Sequence, residues 1–244
     1  IMGKKQMDPR MWSYEYTYVD NRILGLDANN FDNKTQSYRK EFTRRSVEKT
    51  ASVFVYPDTN VWLKDFAYAY TFNEPIFSKY FWHPAYGEYP VVGISWEQAN
   101  AFCHWKSKQS QGYIRLPTEA EWYCLRDKIS QDTLECQAIS ANTNLACYAS
   151  SCPVDRFEHH GFYDVYGNVW QWTESAIDGF DGFKVHPLYD DFSTPTFDGQ
   201  HNLMKGGSWI STGNETIKSS RYAFRRHFFQ HAGFRYVESE QAKA

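Results

Sequence analysis

The chain has 244 residues and a formal net charge of −3, enough length for one well-buried domain or two small ones. That charge leaves no basic footprint for nucleic acid, and no apolar run approaches the ~18–20 residues that would span a membrane. Aromatic residues make up 18% of the chain, so much area can be buried per residue even where regular structure is sparse.

The start, Ile1-Met-Gly-Lys-Lys5, lacks the apolar core of a signal peptide. Residues 1–50 are polar and poorly periodic. Within them Tyr14–Val19 alternates well enough for a strand, and Lys34–Lys49 reads as a solvated, charged face. Residues 51–90 alternate aromatic and polar, punctuated by Pro57, Pro75, Pro84 and Pro90; Val53–Tyr56 suits a strand and the rest reads as ordered loop. Ser95-x-x-Gln98 is a capping box that starts a helix, with Trp96, Ala99, Phe102 and Cys103 on its core face. Thr118-x-x-Glu121 after Pro117 is a second one, opening a short helix that buries Trp122 and Leu125. Glu119 and Glu121 fall in its first turn, where the helix dipole favours negative charge, so a structural role is expected for both.

Residues 127–160 are loop-rich. Gly161–Trp172 then reads as a central hairpin: Gly167-Asn168 makes a tight turn, and Trp170 and Trp172 share one face of the strand that follows. Met204–Ile210 suits a strand whose glycines allow close backbone approach, and Ala232–Arg235 suits a last strand before a frayed tail at 238–244. Ser208, between Gly207 and Trp209, does not sit on an exposed nucleophile elbow, so Ser/His/Asp catalysis has no support. Five cysteines, an odd number without repeated spacing, read as mostly reduced and structural.

Gly167-Asn-Val-Trp-Gln-Trp172 resembles the Gly-Asn-Val-Trp-Glu-Trp signature of the formylglycine-generating-enzyme (sulfatase-modifying-factor) superfamily. Tyr89–Cys103, Arg115-Leu-Pro-Thr-Glu-Ala-Glu-Trp122, and Gly206-Gly-Ser-Trp209 with Ala232-Gly-Phe-Arg235 agree with it in the same order. The resemblance implies an α+β, C-type-lectin-like fold with two short helices, small sheets and much irregular structure. It divides the chain into an N-terminal extension at 1–50, the family domain at 51–237 and a tail at 238–244.

The two halves resemble different branches. Tyr56–Trp62, Asn73–Pro75 and Tyr80–Tyr86 look like gliding-motility lipoproteins associated with a bacterial secretion machine. That branch implies a non-catalytic structural or binding domain, periplasmic and lipid-anchored, with protein partners. Ser151–Asp155, Asp178–Phe192, Lys205–Asn214 and Ser220–Val237 look like the sulfoxide synthases of ovothiol and ergothioneine biosynthesis, closest to the ovothiol type. That branch implies a cytoplasmic enzyme that uses non-haem Fe(II) and O₂ to join a cysteine sulfur to a histidine imidazole. Its iron ligands, in a His-x-x-x-His-x-Glu pattern plus a distal His, belong to a separate N-terminal part. Here the nearest match, His227-x-x-x-His231, is followed by Ala232-Gly233 and leads into a strand, so no iron site is expected in this chain. The reactive cysteine pair of the copper-dependent formylglycine-generating oxidases is also missing, because residues 210–235 contain no cysteine.

A pocket for histidine and cysteine must hold carboxylate and ammonium groups. Arg221, Arg225 and Arg226 supply planar forks for carboxylates, Asp178 and Asp181 suit an ammonium, and Tyr222 and Tyr189 suit hydrogen-bond donation. The family also binds Ca²⁺ through loop oxygens, and Asn142 and Asn168 match positions that serve there; both suit turns equally well.

Overall fold

The computed structural model describes residues 8–20, 31–32, 37–38, 47–64, 76, 79–110, 112–129, 141–144, 150–177, 199, 201–212, 220–225 and 227–239. In chain order its strands are β1 (Ser13–Asp20), β2 (Phe31–Asp32), β3 (Ser37–Tyr38), β4 (Val47–Phe54), β5 (Tyr113–Arg115), β6 (Glu158–His159), β7 (Phe162–Tyr163), β8 (Trp170–Ala176), β9 (His201–Lys205), β10 (Tyr222–Arg225), β11 (Ala232–Phe234) and β12 (Val237–Ser239). Its α-helices are α1 (Val61–Lys64), α2 (Trp96–Gln109) and α3 (Glu119–Ile129). This is the expected α+β architecture, with two helices of more than two turns and small sheets. No helix among the described residues is long and apolar enough to cross a membrane.

The helices start where local chemistry dictates. Ser95 Oγ accepts from the Gln98 amide while Gln98 Oε1 accepts from the Ser95 amide, so two otherwise orphaned donors are satisfied together. The same Gln98 side chain donates to the carbonyls of Phe54 and Tyr56, at 2.6 and 3.1 Å, tying the helix start to the end of β4. At α3, Thr118 Oγ1 accepts from the Glu121 amide and Glu121 Oε2 accepts from the Thr118 amide.

The core lies between α2 and a four-stranded sheet of order β10-β9-β8-β11. β8 pairs antiparallel with β9 and parallel with β11. Both its faces are covered, so Gln171 and Thr173 are buried along with Trp170 and Trp172. Gln171 is fully used there: its Oε1 accepts from Trp122 Nε1 and Arg235 Nε, and its Nε2 donates to the carbonyls of Asp164 and Val165. A second cluster joins Trp62, Tyr80, Val92 and Trp209. Trp62 and Tyr80, each within a stretch that resembles the lipoproteins, thus build core.

Several expectations need correction. The Gly167-Asn168 turn does not close a hairpin. Asn142 forms a parallel bridge with Gly167, and the strand that leaves the turn is the middle of a sheet whose other strands arrive from later in the chain. Phe102 is 38% exposed, because α2 turns it toward solvent while Trp96, Ala99 and Cys103 are buried. β1 pairs with β4 over eight residues, so Val47–Lys49 belong to a strand, and that strand continues across the 50/51 boundary. β9 ends at Lys205; Gly206 and Gly207 adopt φ of 96° and 74° and break it. Val237–Ser239 pair with β5, so ordered structure runs into the segment read as a tail.

Candidate functional site

The first strand of the sheet and the start of α3 meet at a charged cluster. Arg221, just before β10, donates Nε and Nη2 to the two carboxylate oxygens of Glu119, each at 2.9 Å. Lys205, at the end of β9 and 2% exposed, lies 3.0 Å from the same carboxylate and donates to Tyr123 Oη and the Ser220 carbonyl. Tyr123 Oη in turn donates to Glu119. Burial raises the Glu119 pKa, but hydrogen bonds from Arg221 and Lys205 outweigh it and hold the carboxyl below its ordinary value. Burial pulls Lys205 down, and burial with Glu119 nearby pushes Tyr123 up to about 12. The fork of Arg221, expected to greet a substrate carboxylate, therefore holds one from the protein itself. Glu119 and Glu121 both serve structure, as the sequence implies: Glu121 takes two bonds from Arg115, at 2.6 and 2.7 Å, and that pairing lowers its pKa to about 2.

A second cluster surrounds the turn before β8. Asn168 sits at φ 60°, a left-handed conformation asparagine tolerates. Its Oδ1 accepts from the Cys152 amide, and its Nδ2 donates to the Cys152 carbonyl and to Asp164 Oδ2. Asn142 donates to the Ser150 carbonyl, while its Oδ1 and Asp164 Oδ1 are buried without a donor. Gly167 is required here, since a Cβ would lie 2.4 Å from the Asn142 carbonyl oxygen. Burial pushes the Asp164 carboxyl up to about 7 against the hydrogen bond from Asn168, and burial pushes the Cys152 thiol up to about 11. Cys103, Cys124 and Cys152 are free thiols, as expected.

The third feature is an open cleft of about 500 Å³. Its walls are the β1/β4 ribbon (Thr17–Val19 and Glu48), one stripe of α2 (Trp96, Asn100, His104), β5 with Thr118, and the end of β8 (Glu174–Ala176) with Gly199. Ser175 links it to the charged cluster, its Oγ accepting from the Glu119 amide. Burial raises the Glu174 pKa, opposed by Arg115 at 3.6 Å. Burial, then the nearby Lys108, pulls His104 down. Sequence reasoning did not gather these residues into a site. The signal for three of them was present: Trp96, Asn100 and His104 recur every four residues and so share a helix face. Glu48 and Glu174 carry no such mark, because only tertiary structure brings their strands together.

Of the other expected site residues, Tyr222 packs its ring 4.9 Å from that of Trp170 and is 38% exposed. Arg225 lies on β10 opposite His201, with its side chain outside the described residues. Asp178, Asp181, Tyr189 and Arg226 lie outside them altogether; Ala176 and Gly199, on either side of residues 178–198, both line the cleft. His227 and His231 are not on a helix, and their rings pack on Phe228 and Phe229. Among the described residues no three His, Cys, Asp or Glu side chains gather as a metal site would require. The described residues offer no ligand set that fits a non-haem iron.

Comparison with known proteins gives matches over most of the chain. The model of a family described as sulfatase-modifying factor enzyme 1-like domain matches residues 78–240. Ergothioneine biosynthesis protein 1 of Schizosaccharomyces pombe is 23% identical over 237 residues, covering 91% of this chain and 30% of that protein. Hercynine oxygenase of Mycolicibacterium smegmatis is 30% identical over 139 residues, covering 50% of this chain and 31% of that protein. The chain thus spans less than a third of the length of either relative. Among solved structures, Treponema denticola variable protein 1 superposes with a TM-score of 0.49 at 19% identity, covering 62% of this chain and 71% of that one.

Proposed function

For a chain that belongs to the sulfatase-modifying factor enzyme 1-like domain family, we propose the role of substrate-pocket domain in a non-haem-iron, O₂-dependent sulfoxide synthase that joins a cysteine sulfur to a histidine imidazole. The observation that carries this reading is the match to an ergothioneine biosynthesis protein across 91% of the chain, beside a second match to a hercynine oxygenase. The absence of cysteine from residues 210–235 speaks against the copper-dependent formylglycine chemistry of the same superfamily. Iron would be held by ligands outside this chain and would supply the oxygen chemistry. The task of the residues here is to bind and orient small amino acids. Arg225 and Arg226 are the proposed carboxylate forks beside Arg221, which Glu119 engages, and Asp178, Asp181, Tyr189 and Tyr222 complete the proposed set.

NMR titration of the chain with histidine and with cysteine tests this directly. Saturable shifts confined to residues 178–231 are expected; unmoved resonances there overturn the assignment. Calorimetry with Fe(II) is expected to show no stoichiometric binding, and tight uptake lost in His227→Ala would move the iron site into this chain.

For Ca²⁺, what supports a site is the pair of buried oxygens, Asn142 Oδ1 and Asp164 Oδ1, that lack a donor next to Asn168. A melting temperature raised by millimolar Ca²⁺ over EDTA, and unmoved in Asn142→Ala, is the expected result. A second functional reading, a non-catalytic domain of a gliding-motility or secretion-associated lipoprotein, is favoured by the sequence of residues 56–86. It predicts no amino-acid binding at all, so the same titration separates the two.

A further inference from the structure

We propose that the cleft between the β1/β4 ribbon and α2 is a binding site for a small organic cation. The inference rests on the cleft alone and holds whichever of the two functional readings is right. At about 500 Å³ the cleft has the capacity of a small-molecule site. Its charge is one-sided. Glu48 and Glu174 face it, and Glu48 makes no ion pair among the described residues. The one arginine or lysine in its walls among the described residues, Arg115, is already engaged, with both terminal nitrogens on Glu121 at 2.7 and 2.6 Å and only a 3.6 Å approach to Glu174. Glu174 thus keeps most of its capacity for a positive partner, and its side chain is 41% exposed to receive one.

The remaining walls match that charge. Trp96, Tyr18 and Tyr113 bring aromatic surface to the cleft, with the Tyr18 and Trp96 rings 6.5 Å apart and edge-on. Aromatic faces beside carboxylates form the arrangement that attracts ammonium and quaternary ammonium groups. Asn100 adds an amide with no side-chain hydrogen bond among the described residues, placed to orient the polar remainder of a ligand. Among the described lining residues an anion would find no uncommitted arginine or lysine. The α2 stripe and the β8 end belong to a helix and a strand that also build the core, so regular elements hold these wall residues in place.

The test is a ¹⁵N NMR titration of the whole chain with tetramethylammonium chloride, with ethylammonium chloride as the primary-amine arm and sodium acetate as the anionic control, at constant ionic strength. Saturable shifts of the Trp96 indole N–H and the Asn100 side-chain amide are expected with a cation and not with acetate; the better of the two cations tells whether aromatic faces or carboxylate hydrogen bonds dominate. Glu174→Gln is expected to weaken cation binding about tenfold, and Glu48→Gln, on an exposed strand position, a smaller amount. Non-saturable shifts, equal shifts with acetate, or unchanged affinity in the Glu174→Gln/Glu48→Gln double variant would overturn the proposal. Should Glu174→Gln unfold the chain, Glu48→Gln alone decides, since it touches no buried partner.

Discussion

Glu119 and Glu174 lie on either side of a single hydrogen bond, from the Glu119 amide to Ser175 Oγ, yet they have opposite fates. Glu119 is surrounded by Arg221, Lys205 and Tyr123, and both its carboxylate oxygens accept from them. Glu174 shares one arginine with Glu121, at a longer distance, and opens onto a cleft. A cluster of charges is therefore a poor marker of a binding site. What marks one is capacity left over after the protein has satisfied itself, and by that measure Arg221, one of the three arginines the sequence favoured, serves the scaffold, while Glu174, which it passed over, keeps capacity.

Removing the saturated carboxylate should have the largest effect. Glu119→Ala takes the carboxylate away from the buried Lys205 and from the fork of Arg221, and a loss of about 3–5 kcal/mol is expected in urea unfolding. A loss below about 1 kcal/mol would show that the cluster is hydrated rather than saturated.

Next comes Asp164→Asn, which asks whether burial alone governs a carboxylate that has no cation bonded to it. The folded pKa of about 7 is raised from 3.8, so the neutral acid is the form the fold prefers. Wild-type stability attributable to this group is present below pH 3.8 and is lost as pH rises toward 7. The variant should flatten that stretch of the stability curve, an effect on the order of 2–4 kcal/mol across it, measured in EDTA. Asparagine keeps both the left-handed conformation at φ 47° and an acceptor for Asn168.

Glu121→Gln sharpens the comparison by releasing Arg115. The folded pKa of Glu121, about 2, lies below its ordinary 4.5, so its contribution is present above pH 4.5 and is lost as pH falls toward 2. The variant should unfold at lower urea than wild type at pH 7 and match it at pH 2. With Arg115 turned toward Glu174, the cleft should also lose affinity for tetramethylammonium. Glu174→Gln itself should change stability by less than about 0.5 kcal/mol, since no structure depends on its charge. A larger loss in denaturant unfolding would move Glu174 to the scaffold side of the comparison.

Much of the fold was legible because its signals are local. A capping box is read over four residues, and both helix starts fall where Ser95 and Thr118 place them. The two-residue period of Trp170 and Trp172 announces a shared buried face whatever the strand pairs with. The hairpin expectation failed where the signal ended: nothing near Gly167 tells that β8 will pair in parallel with β11 more than sixty residues later, or that the turn will lean on Asn142. Arg221 was misread for the same reason, since its partner Glu119 lies 102 residues away.

By itself, then, the sequence determined where helices begin, which residues turn inward, and the family whose fold the chain adopts, because caps, side-chain alternation and motif strings act over a few neighbouring residues. Only the tertiary structure decided which charges are consumed and which remain. Ion pairing is settled between residues brought together by packing, and the carboxylates of Glu48 and of Glu174, the latter only loosely paired with Arg115, become a common site only when the β1/β4 ribbon closes against α2 and the end of β8.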